Sequence, residues 1–498
     1  MKPKPGFWRW RNIIWLTLGV SLLVFCVWGA WAVHWAFNAQ PGSSVDYAAK
    51  AEALVASYQA DVAHEPNGWE ELSDIIQRSR DTYASYLDTL REPNTPLHLL
   101  PRPADWPKKW SWPPDAEDVL ADGAPESVMT HARAIVEGQA RADIFHQIAN
   151  LRSRRFFSRP VHKGVLLEHL RDSDLMYRQF ARLLSARQRL AHMDGDMTTL
   201  ADAFDDAFTV ARAVGRQYQL IDRLQGMAIR SAACKELRHE LIEQPVHEAI
   251  LERLLQTLGR IADEPGIEFA LEGDRIAMLD LIQRTHTDDG QGDGRVLVVR
   301  LRALDDSWVD PGGVSLSVVN VFGLFLPTKS ETTRVVHEFY DKAATLALVT
   351  NPASRAVKIR EFEEWASSLP HDQPPARHCL QSAIMAIHAS DAAALELAGT
   401  RLMLAIEIHR ARTGVLPAAL ADLVPGILPA LPVDPWNPDG IVYRPDASQP
   451  WGYTLYSKGA DGVDDRAPYD EDTNMNALKH EGAGTDFHFV YPRYRVGN

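Results

Sequence analysis

Three cysteines among 498 residues, Cys26, Cys234 and Cys379, are too few and too widely spaced for a disulfide scaffold. None of them stands in a CxxC pair or a zinc-ligand spacing. Positive charge is also scarce: 52 Lys and Arg face 66 Asp and Glu, a formal net charge of -14, with no long basic run. Phosphate backbones require a concentrated basic face, so nucleic acid is not an expected partner. There is no GxSxG elbow, no Walker A loop and no dinucleotide fingerprint. Nothing in these motifs calls for catalysis.

One stretch lacks charge altogether. Ile13 to Phe37, IIWLTLGVSLLVFCVWGAWAVHWAF, has no Asp, Glu, Lys or Arg. Its 25 residues at 1.5 Å each exceed the ~30 Å hydrocarbon thickness of a bilayer, so it is expected to span as a slightly tilted helix. Lys2, Lys4, Arg9 and Arg11 precede it without an acid, which by the positive-inside rule keeps the N-terminus cytoplasmic. Trp8, Trp10 and Trp15 at one end, and Trp28, Trp31 and Trp35 at the other, suit two interfacial belts. A cleaved signal peptide is the alternative, but the run is longer than an h-region and no A-x-A site follows it. The expected organisation is a tail over 1–12, a membrane helix over 13–37 and an extracytoplasmic remainder.

Helical periodicity dominates residues 38–389. Helices are expected over Asp46–Ala63, Asn67–Leu90 (opened by an Asn cap), Pro125–Arg154, Lys163–His192 and from Asp196 to about Glu243. In the last of these, Leu200, Phe204, Ala207, Phe208, Ala211 and Val214 form an apolar stripe. Another starts at Pro245, with Ile250, Leu254, Leu258 and Ile261 on one face. Paired helices of similar length suggest an antiparallel array, without a period that names a repeat. The loop over 92–115, which contains PNTPLHLLPRPADWPKKWSWPPD, carries Trp106, Trp110 and Trp112 and reads as a loop capping the helical core. Between Gly266 and Thr333 the pattern changes. A β/apolar insert is expected near 295–326, with a strand over Val296–Leu304 and an uncharged run, Gly313–Leu326, too short to span and read as buried or interfacial. Helix resumes over Thr333–Leu369, breaks at 371–375 and continues through Ala411.

Two acidic constellations invite a metal. His337-Glu338 followed by Asp341 approximates the HExxH helix, placing His337 and Asp341 one turn apart on one face. It lacks a second His, so a solvated helix face competes with the metal reading. Asp288, Asp289 and Asp293 could offer oxygens to calcium, but their spacing misses the EF-hand pattern and its closing Glu.

The last hundred residues differ in texture. A helix ends at Gly414, suited to a left-handed C-terminal cap. LPVDPW follows, then IVYRP and WGYTLYSKGADG, two strands of period two around the turn Asp446–Pro450, and finally TDFHFVYP. These residues predict a helix packed on a small antiparallel sheet. The order resembles the periplasmic part of the major pseudopilin of bacterial type II secretion systems. The likeness rests on Gly414 and Pro417, on Leu431, Pro432, Asp434, Pro435, Trp436 and Tyr443, and on Tyr453, Leu455, Ser457, Gly459, Ala460, Asp461 and Gly462. It covers about 390–492. Gly6-Phe7 matches the leader junction of that family, but Arg11 stands where its Glu would be and some 350 residues separate the apolar helix from the module. The whole chain also looks like large planctomycete-type membrane proteins, a likeness that implies no activity.

The resemblance implies a bacterial inner-membrane location, partners in an envelope or secretion-related complex, and calcium in the acidic loop after SxGADG. Between Asp461 and Asp486 eight acids face only Arg466 and Lys479. Asp461, Asp464 and Asp486 are the nominated ligands. The expected fold is mainly α: a membrane helix, a helical array over 38–389 and an α+β module over 390–498. The expected function is assembly or interaction; the alternative is a membrane-anchored, metal-dependent hydrolase using His337, Glu338 and Asp341.

Overall fold

The computed structural model describes residues 5–42, 45–90, 120, 124–166, 170–260, 266–298, 321, 323–369, 374–459, 462–465 and 486–491. Among these lie thirteen α-helices and one three-stranded sheet. Helix α1 (Pro5–Asn38) contains the apolar run, and its Val20–Asn38 part, with a mean hydropathy of 1.7, is long and apolar enough to cross a membrane. Most of its described side chains are exposed, as in Leu22, Leu23, Val24 and Phe25.

Helices α2 (Tyr47–Tyr58) and α3 (Trp69–Thr89) follow. Asp46 caps α2 by accepting from Ala49 N at 2.9 Å. At α3 the side chain of Asn67, one residue before the cap position, accepts from Trp69 N. The helix expected over 125–154 is two, α4 (Glu126–Arg141) and α5 (Ile144–Leu151), because Asp143 takes a left-handed conformation between them. Then come α6 (Leu170–Met193), α7 (Met197–Gly215), α8 (Leu220–Glu243) and α9 (Glu248–Gly259). Asp196, where the helical tract is expected to start, caps α7 by accepting from Thr199 N.

Helix α7 is the centre of the array. Its predicted stripe is buried, but so are Ala201, Ala203, Val210 and Ala213 on its other faces, because α5, α6, α8 and α9 all pack on it. Its small residues permit this closeness. A Cβ on Gly226 of α8 would lie 2.6 Å from the Ala211 carbonyl, so only glycine fits that crossing.

The region expected to lose helical character begins instead with α10 (Ile267–Thr285). Buried residues cover most of this helix, among them Phe269, Leu271, Ile276, Ala277 and Ile282, and the half-buried Glu268, Glu272 and Arg275 leave only a narrow polar strip, so its apolar residues do not fall into one stripe. Of the expected strand 296–304, the described part forms a single antiparallel bridge, His286 to Val296; residues 299–304 lie outside the described residues. Of the apolar run, 323–325 form a 3₁₀ turn, and 313–320 lie outside the description, as do Trp106, Trp110 and Trp112.

Helix is expected without a break over 333–369, yet the structure has α11 (Lys329–Ala347) and α12 (Pro352–Ser367). The break is Asn351-Pro352: Asn351 caps by accepting from Ser354 N at 2.9 Å, and proline at the first helical position ends the preceding helix. Helix α13 (Pro374–Thr413) closes the array and carries the sheet. The expected boundary at 390 falls inside this helix.

The sheet orders β1 (Val442–Pro445), β2 (Tyr453–Ser457) and β3 (Phe487–His488), all antiparallel, with Tyr443 opposite Leu455 and Ser457 opposite Phe487. Tyr453, Leu455, Phe487 and Phe489 join Leu402, Ala405 and Ile406 of α13 in one core that extends to α3. Side chains of this size stabilise by roughly 1.5–3 kcal/mol each when buried. A second core joins α10, α11 and α12 through Leu271, Ile282, Phe339 and Phe362.

Candidate functional site

The C-terminal module is organised around two side chains that the DPW and SxG motifs supply. After α13, Gly414 takes φ 78°, and its N–H bonds the Arg410 carbonyl at 2.8 Å, the expected left-handed cap. The chain returns beneath β1, where the Tyr443 hydroxyl donates to the Pro417 carbonyl at 2.8 Å. Asp434 is fully buried. One of its oxygens accepts from Trp436 N at 2.8 Å and Asn437 N at 3.2 Å, and the other from the Ser457 hydroxyl at 2.6 Å. The same hydroxyl oxygen accepts from Gly459 N at 3.1 Å. The loop before β1 and the end of β2 are thus tied through one carboxylate. Burial raises its pKa, and these hydrogen bonds pull it back.

Behind the sheet, Glu407 of α13 pairs with Arg410 and accepts from the Tyr453 hydroxyl at 3.3 Å. Arg410 also donates to the Trp451 carbonyl at 3.1 Å. Burial, followed by the nearby Glu407 charge, holds Tyr453 well above the ordinary tyrosine range.

Two of the three nominated acids, Asp464 and Asp486, lie near Tyr456 of β2. Asp464 accepts from the Tyr456 hydroxyl at 2.9 Å and from Arg444 at 2.8 Å. Asp486 is buried next to β3. Burial, the hydrogen bond to Asp464 and the charges of both acids push Tyr456 up to about 12, against the Arg444 charge. His488 stacks on Tyr456 at 5.4 Å. Asp461 lies outside the described residues.

The other sequence candidates hold structural partners. His337 is exposed on α11, Asp341 pairs with Arg275 at 2.6 Å, and Glu338 faces Arg334 and Lys342 at 3.3 and 3.9 Å. Asp288 pairs with Lys329 at 3.0 Å and caps Gly290 N; Asp289 accepts from Gln291 N and Asp293 N; Asp293 accepts from Ser330 N. Asp288 and Asp293 clasp the 286–296 turn to the start of α11, and Asp289 closes the turn on itself. Cys234 is buried, and burial pushes its thiol up to about 12, far from the thiolate a nucleophile needs. No group of three or more His, Cys, Asp or Glu stands where it could share a metal ion among the described residues.

Sequence reading missed the charged residues inside the array. Asp206 of α7 is fully buried and bridges Arg152 at 2.7 Å and Arg187 at 2.7 Å, while Arg187 stacks over Phe145. Asp202 and Asp205 share Arg253, and Asp202 also takes Arg152. Arg159 pairs with Asp222 at 2.6 Å, and Arg238, buried on α8, reaches Glu396 and Thr400 of α13 at 3.4 and 2.9 Å. Near that pair a cavity of about 140 Å³ is lined by Arg223, Met227, Arg230, Cys234 and Glu396. The available signal was an aspartate pair enclosed by phenylalanines, AFDDAF, on an otherwise apolar stripe.

These features define a mainly helical protein with one apolar N-terminal helix and a small sheet carried by its last helix. No family model, curated protein or solved structure matches the chain.

Proposed function

We propose that this chain is a single-pass, membrane-anchored protein of the bacterial inner membrane, with its bulk outside the cytoplasm. Its C-terminal helix-and-sheet module, similar to that of the major pseudopilin, serves assembly or interaction in an envelope or secretion-related complex. The observation that carries the reading is the Asp434–Ser457 hydrogen bond, which joins the two motif segments on which the resemblance rests. The same loop also turns apolar side chains outward: Val433 is 71% exposed and Leu431 41%, while Trp436 is buried. Exposed apolar side chains on a rigid turn suit a partner surface.

The test is a photo-reactive amino acid at Val433 in native membranes, with an extracytoplasmic reporter fused after Asn498. Discrete cross-linked species together with an active reporter are expected. An active reporter without adducts removes the interaction, and an inactive reporter removes the topology.

Calcium, which the resemblance implies, would draw on Asp464 and Asp486. These donors suit a hard cation in type, but Arg444 already supplies positive charge to Asp464. In the full-length protein, Arg444→Ala is therefore expected to enlarge the rise in melting temperature caused by millimolar calcium, since a ligand bound only by the folded state stabilises it. An equal response, or none, in variant and wild type would remove the site.

A further inference from the structure

The chain leaving α1 is tightly held against the body. Gly42 N donates to the His286 carbonyl at 3.0 Å, and three residues later Gln283 exchanges hydrogen bonds with Val45 N and O at 3.3 and 2.9 Å. The loop that receives Gly42 is itself closed: Thr287 N bonds the Arg295 carbonyl, and Leu297 N the Thr285 carbonyl. Lys329 at the start of α11 joins this clasp through Asp288 and through its own N–H to the Gly294 carbonyl. Arg295 donates to the Leu326 carbonyl at 3.4 Å. The turn 323–326 is thereby fixed relative to the end of α1.

That turn presents Phe325, 68% exposed, directly to α1. Its ring lies 6.0 Å from that of Trp28, which lies 6.4 Å from Phe25, so the three rings form a continuous row. Phe25 and its neighbours Leu22, Leu23, Val24 and Val27 are all exposed. An exposed phenylalanine that extends an exposed apolar helix face is costly in water and is relieved when that face enters lipid. Taking Ile13 as the inner edge of the hydrocarbon, Trp28 stands about 22 Å along the helix at 1.5 Å per residue. That is short of the ~30 Å needed to cross, and tilt only lowers the level further.

Resting on the reading of α1 as a membrane span, we propose that Phe325 and its turn are seated in the outer leaflet beside Trp28. The extracytoplasmic body is then docked on the lipid surface rather than suspended from a flexible tether. Arg295, exposed at the same edge, stands where a phosphate headgroup would meet it.

The experiment uses the full chain in vesicles of phosphatidylethanolamine and phosphatidylglycerol. One sample contains a phospholipid with a diazirine midway along an acyl chain, and a parallel sample receives a water-soluble diazirine. Adducts are mapped by mass spectrometry. Lipid adducts are expected on α1 and on Phe325, with Phe325 several-fold less labelled from water than from lipid. Lipid adducts confined to α1, or Phe325 labelled mainly from water, overturn the docking while leaving the anchor intact. No lipid adduct on α1 overturns the anchor and the docking together.

Discussion

Replacing Asp206 with alanine should destabilise the helical body by about 3–5 kcal/mol, the cost of removing one partner from a buried ion pair. Asp206 is fully buried at the centre of α7, and it holds Arg152 of the segment after α5 and Arg187 of α6. Arg152 keeps Asp202 at 2.9 Å in the variant, but Arg187, stacked over Phe145 and only slightly exposed, loses its carboxylate. Burial is the larger effect, so the Asp206 pKa lies above the ordinary carboxylate value although the Arg152 and Arg187 guanidinium groups pull it back; the truncation removes the carboxylate and leaves Arg187 without it. Asp206→Asn, which keeps the shape and one acceptor, should cost less than alanine. Chemical denaturation with unchanged slope is the measurement. A loss below about 1 kcal/mol in the alanine variant would mean that water reaches Arg187 and that the Asp206 ion pairs contribute little.

The second large effect belongs to Asp434. Asp434→Ala leaves Trp436 N, Asn437 N and the Ser457 hydroxyl without their acceptor. Each buried donor so abandoned costs about 1–3 kcal/mol, enough to loosen the loop from β2 even if one of them finds another partner. Hydrogen exchange should speed up at Trp436, Asn437 and across Tyr453–Ser457, with little change in α7 and α8, and cross-linking from Val433 should fall with it. Asp434→Asn should lie between the alanine variant and wild type. Because burial raises the Asp434 pKa, the folded state holds its proton more tightly than the unfolded one. The advantage of wild type over Asp434→Asn is therefore fully present below the ordinary value of 3.8 and shrinks as the pH rises through the folded value. Unchanged exchange in Asp434→Ala would show that the two motif segments are held by packing alone.

Local chemistry was legible wherever it acts within a few residues. The apolar run of α1 needs no tertiary partner to be recognised, since its length and lack of charge are properties of the segment. Asp46 and Asp196 announce their helices because a cap acts three residues away, and Gly414 announces an end because only a positive φ suits that position. The hairpin β1–β2 was likewise readable from its period of two and the turn between Asp446 and Pro450. Asn351-Pro352 carried an equally local signal and was passed over within a strongly helical stretch.

What only the tertiary structure decided depends on partners far apart in the chain. Helix α10 is hidden from periodicity because neighbours cover most of it, so its apolar residues fall on several faces instead of one stripe. The same enclosure turns Asp206 and Arg238 from apparently solvated charges into buried ones, since the arginines and glutamate that compensate them come from other helices. Motif spacing could nominate Asp434 and Ser457, but not that one carboxylate would accept from the other's hydroxyl across 23 residues. Composition could find the apolar turn near Phe325; only the folded chain brings it against Trp28, because that contact joins segments almost 300 residues apart.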